Sequence, residues 1–91
     1  MSADRTPQRE NQMKPDAKLL EALALLERGD WQQAHGIVQE HETQDAAWLH
    51  GIVHVLEGDL DNARYWYDRA KRTFSPDPKS ELAAARRALD A

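Results

Sequence analysis

His50, His54 and Glu57 stand at i, i+4 and i+7, a spacing that puts all three side chains on one face of a helix. Two imidazoles a turn apart can share a zinc or nickel ion, and Glu57 can add an oxygen ligand. His35 offers a fourth ligand if its own helix packs against this stripe. The spacing departs from the His-Glu-x-x-His arrangement of metalloproteases, where a Glu follows the first His as general base; here that position is Gly51. Imidazoles also act as acid and base near neutral pH, so a small-molecule site, even an enzymatic one, stays open on the same stripe. The rest of the chain argues against catalysis. It has no nucleophile with an evident activating partner, no phosphate loop and no cofactor motif. No cofactor is expected.

A second cluster is Tyr65-Trp66-Tyr67, flanked by Arg64 and Arg69. Consecutive residues on a helix point about 100° apart, so the three rings cannot form one stacking platform. Trp66 and Tyr67 are expected to face the core and Tyr65 to lie nearer the edge. An exposed aromatic beside Arg64 or Arg69 can recognise carboxylates, phosphates or a peptide segment.

Helices must position these groups, and the strongest signal for them is a Gly-Asp pair that occurs twice, 29 residues apart: Gly29-Asp30 and Gly58-Asp59. Gly closes one helix in the left-handed conformation, and the following Asp caps the next. Leu19, Leu20, Leu23 and Leu26 give the first helix its buried face. Asp30 is expected to cap the second helix, with Gln33 completing a capping box, and Trp31, Ala34, Ile37 and Val38 to face inward. The third helix, from about Asp45 to Glu57, is apolar around most of its circumference and reads as the central one. Gly36 and Gly51 lie inside helices, where each costs roughly 1 kcal/mol relative to Ala unless a neighbour comes close. Asp59 caps the fourth helix, which carries Ala63, Trp66, Tyr67 and Ala70 inward and is expected to end in Lys71 and Arg72. Pro78 opens a last helix whose narrow stripe of Leu82, Ala85 and Leu89 seals the end of the stack, with Lys79, Glu81, Arg86 and Arg87 in water.

Over residues 16–76 this pattern resembles tetratricopeptide repeats. Gly51, Gly58-Asp59, Ala63, Tyr67, Ala70 and Pro76 carry the likeness in the second unit; Ala22, Gly29-Asp30-Trp31 and Ala34 carry it in the first. The segment Glu57-Gly58-Asp59-x-x-Asn62-Ala63-x-Tyr65-Trp66-Tyr67 is also similar to a group of small uncharacterised soluble proteins. The chain departs from the repeat pattern at His54, which stands where the repeats often have Tyr, and in holding two units where three usually sustain a stack. The resemblance implies an all-α fold of two helical hairpins plus a C-terminal capping helix. It also implies a non-catalytic module that binds a peptide or partner helix in a groove. On that geometry Trp48, Ile52 and Val55 lie on the groove side and form an apolar-aromatic binding surface, unless the last helix covers them. It also points His50 and His54 at the Tyr and Trp residues of the fourth helix, where they read first as core imidazoles held by Tyr hydroxyls, Glu57 or backbone carbonyls.

Ninety-one residues without cysteine make one small domain, expected over residues 15–91 behind a disordered tail at 1–14. That tail lacks the apolar run of a signal peptide, and no apolar segment approaches the ~20 residues of a membrane span, so a cytoplasmic location is expected. The net charge is -4 and unevenly spread: residues 16–60 hold nine acids against two bases, and residues 61–91 hold seven bases against five acids. The acidity argues against nucleic acid as a partner. A protein or peptide partner is expected, and self-association to bury an apolar face is an alternative.

Overall fold

The structure, a computed structural model, describes residues 15–90, with side chains from Ala17 onward. The expected tail at residues 1–14 and the side chain of Asp16 lie outside this description. Five helices and no strand occupy the described residues: α1 Pro15–Glu27, α2 Trp31–Val38, α3 Gln44–Glu57, α4 Leu60–Arg69 and α5 Pro78–Leu89. The fold is all-α, as the periodicity predicts. None of these helices is long and apolar enough to cross a membrane.

Both Gly-Asp corners fold in the same way. Gly29 and Gly58 take φ of 83° and 92°, the left-handed region. At the first corner the Gly29 and Asp30 amides donate to the Leu26 and Leu25 carbonyls; at the second, those of Gly58 and Asp59 donate to Val55 and His54. This paired pattern satisfies the last carbonyls of α1 and α3 and turns the chain back on itself. The caps that follow differ. Asp59 accepts from the Asn62 amide at 3.2 Å, as expected. Asp30 makes no cap to the backbone and instead accepts from the Gln33 side chain at 2.8 Å, so the expected capping box is corrected to a side-chain pair. A third corner needs no glycine: α4 stops at Arg69, and Lys71 adopts φ 61° while the Lys71 and Arg72 amides donate to Asp68 and Tyr67. Lys71 and Arg72 therefore lie beyond the helix that they were expected to end.

The hairpins α1/α2 and α3/α4 pack side by side through α2 and α3, and α5 lies across α1 and α3. The central element is α3, buried at every residue from Ala46 to His54. Gly51 is there because Tyr67 is: a Cβ at that position would stand 2.5 Å from Tyr67 Cδ1 and 3.3 Å from the Ala63 carbonyl oxygen. Gly36 has no such neighbour, so the close approach expected there is absent. Trp48 and Ile52 are fully buried and Val55 half-buried, which corrects the expected open groove. The physical reason lies in α5. Its Glu81, expected in water, is half-buried and accepts from Trp48 Nε1 at 3.0 Å and from the Tyr67 hydroxyl at 2.8 Å. Arg72 lies over the Trp48 ring, 3.4 Å from its centroid. Arg86 adds a two-pronged bond to Glu27 that ties α5 to α1.

Candidate functional site

Packing α2 against α3 brings His35 to the stripe formed by His50 and His54. Ring centroids are 4.7 Å apart for His35 and His50, 5.4 Å for His35 and His54, and 5.0 Å for His50 and His54. One ring nitrogen from each side chain lies within 4.8 Å of those of the other two. His35 meets both partners edge-on, while His50 and His54 lie nearly parallel, their planes inclined by 23°. His50 and His54 are buried and His35 is half-buried, so the cluster sits just beneath the surface.

Each imidazole is oriented from a different direction. Trp66 of α4 stacks on His50 with centroids 3.8 Å apart and planes 7° from parallel. That contact fixes the His50 ring and explains why Trp66 is only partly withdrawn into the core. His54 Nδ1–H donates to Glu57 Oε1 at 2.7 Å. That bond fixes the His54 ring from behind, as a carboxylate orients a metal-ligating histidine. Glu57 is thus placed behind His54 as its orienting partner, whereas the spacing had offered it as an oxygen ligand. Asp59 approaches His54 and Glu57 as well, but its carboxylate is engaged with Asn62 at the start of α4.

Burial, reinforced by the neighbouring His35 and His54, pushes the His50 imidazole down from its ordinary 6.5 to about 4. At neutral pH His50 is therefore uncharged, which is the form able to donate a lone pair to a metal. Burial and the hydrogen bond to Glu81 push the Tyr67 hydroxyl in the other direction, above its ordinary value, so it stays a neutral donor.

Beside the cluster opens a cleft of about 180 Å³ bordered by Gln39, His41, Glu42, His50, Trp66 and Arg69. A wider cleft of about 500 Å³ is lined by Gln44, Asp45, Lys71, Arg72 and Glu81, acids and bases together, and touches none of the histidines. The structure separates the remaining candidate residues. Tyr65 is exposed, as expected, with Arg69 donating to its hydroxyl at 3.4 Å and lying 5.7 Å from its ring centroid. Arg64 turns away from that pair and lies over Phe74, 4.7 Å from the ring centroid. Sequence reasoning missed Glu81 and the His41 edge of the cleft. Glu81 carried no signal beyond its place on the last helix, and His41 sits in the α2–α3 loop, where no periodicity applies. Comparison with protein-family models, curated proteins and solved structures finds no match.

Proposed function

We propose that this protein binds a divalent transition-metal ion, of the zinc or nickel type, through His35, His50 and His54. One observation carries this: three imidazoles from two helices converge so that their ligand atoms lie within 4.8 Å of one another. Imidazole nitrogens suit zinc, nickel and copper; bonds of about 2.0–2.1 Å require the three rings to close and the stacked His50 and His54 rings to turn towards the ion. The Glu57 bond to His54 and the Trp66 stack on His50 support the same reading, since both orient ligands without occupying them all. Holding the ion on tetratricopeptide-like stacked hairpins, the chain would be a binding module whose metal joins α2 to α3.

Isothermal titration of the full chain with zinc and nickel tests this. One equivalent of chelator-reversible binding is expected, and Glu57→Gln should weaken it by about 10–100-fold, the usual cost of losing an orienting partner. His35→Ala, at the half-buried edge, should remove binding while helical circular dichroism is retained. Heat no greater than a chelator blank would overturn the proposal.

A peptide-binding role is a second reading, moved from the buried Trp48 and Ile52 to the outer face of α4. Tyr65, 53% exposed and flanked by Arg69, favours it. Partner capture that survives Tyr65→Ala would refute it.

A further inference from the structure

We infer that the wider cleft, which touches none of the histidines, binds a small polar zwitterion of the amino-acid type; the inference goes beyond the metal reading and does not depend on it. Four charged side chains border this cleft, Lys71 and Arg72 against Asp45 and Glu81. None of the four forms an ion pair or a hydrogen bond with another. Both signs therefore face one cavity of about 500 Å³ without cancelling each other. A ligand with a single charge is attracted by one pair and repelled by the other. One that carries both a carboxylate and an ammonium is complementary to all four.

Trp48 holds the two central charges apart. Arg72 lies over the face of its ring, 3.4 Å from the centroid, while Glu81 meets its edge and accepts from Nε1 at 3.0 Å. The Tyr67 hydroxyl donates to that same oxygen, so Glu81 Oε1 takes both bonds and Oε2 takes none among the described residues. A guanidinium seated on a ring keeps its N–H fork for the two oxygens of a carboxylate. Lys71 joins it from the left-handed corner after α4, and Asp45 joins Glu81 from the first turn of α3. The ligand carboxylate is thus assigned to Arg72 and Lys71, and its ammonium to Glu81 Oε2 and Asp45. Trp48 is fully buried, so Arg72 and Glu81 rest on a rigid support and lose little freedom on binding. The cleft falls within the ~300–1,000 Å³ of small-molecule sites, and Ala70 is the only apolar residue among the described ones that line it. A polar side chain on the zwitterion therefore fits better than an apolar one.

L-Glutamine is a suitable probe, titrated at constant ionic strength into the metal-free full chain labelled with nitrogen-15. The indole N–H signal of Trp48 is the readout, because its two contacts are the groups that the ligand engages. That signal should shift saturably while those of Trp31 and Trp66 stay in place. N-Acetylglutamine, which lacks the ammonium, and glutamine methyl ester, which lacks the carboxylate, should each bind about tenfold more weakly, as should glutamine to Arg72→Gln and Glu81→Gln. Lys71→Gly suits the left-handed backbone and keeps the fold, and there glutamine should bind about threefold more weakly. A Trp48 signal that glutamine leaves unmoved would overturn the site. Equal binding of either single-charge analogue would overturn the zwitterion, and unchanged affinity in Lys71→Gly and Arg72→Gln would overturn the cleft as its seat. Each of these results leaves the metal reading untouched, since no metal is present.

Discussion

His50 shows how one residue's surroundings become a property of the whole protein. Its imidazole accepts a proton near 6.5 when exposed but only near 4 in the fold, where burial and then His35 and His54 oppose the charge. Between those values the unfolded chain binds more protons than the folded one, so stability rises with pH. The contribution is complete above about pH 6.5 and is lost as pH falls towards 4, on the order of 3 kcal/mol in all. Urea unfolding of the metal-free protein across this window should show the slope, and His50→Gln should flatten it. A wild-type profile that is level from pH 4 to 6.5 would contradict the buried, uncharged imidazole.

At the scale of elements, two glycines that look alike in sequence do opposite work. Gly51 lets α3 and α4 touch through Tyr67, so Gly51→Ala forces a Cβ to 2.5 Å from that ring. Overpacking of this kind typically costs about 1–3 kcal/mol. Gly36 lies exposed in α2 with nothing within 4 Å, so Gly36→Ala should stabilise by roughly 0.5–1 kcal/mol through helix propensity. Chemical denaturation of both variants checks the pair, and the signs should differ. The Gly-Asp corners were legible in sequence because left-handed backbone beside a capping acid is a local requirement. The corner at Lys71 was not legible. A lysine carries no preference for positive φ, and only the packing around Tyr67 and Ala70 ends α4 there.

For the molecule as a whole, Glu81 decides what Trp48 is. From α5 it accepts hydrogen bonds from Trp48 on α3 and Tyr67 on α4, joining three helices at one oxygen. Glu81→Ala would leave two withdrawn donors without a partner, a loss of about 1–3 kcal/mol for each that cannot reach water. Glu81→Gln, which keeps an acceptor oxygen, should recover much of the loss. Urea midpoints of the two variants measure the difference, and equal midpoints would show that the clasp contributes little. Because α5 is fastened in this way, Trp48 belongs to the core, and with Ile52 also buried the two offer no apolar groove.

Sequence alone determined the helices, their two glycine corners, the centrality of α3 and the shared face of His50 and His54. All of these follow from periodicities and backbone preferences acting within a few residues. Only the tertiary structure decided that His35 joins that face, that Glu57 stands behind His54, and that α5 covers Trp48. Those outcomes depend on the packing of helices distant in the chain and on where a carboxylate comes to rest. A hydrophobic stripe says that a face will be covered. It does not say by what.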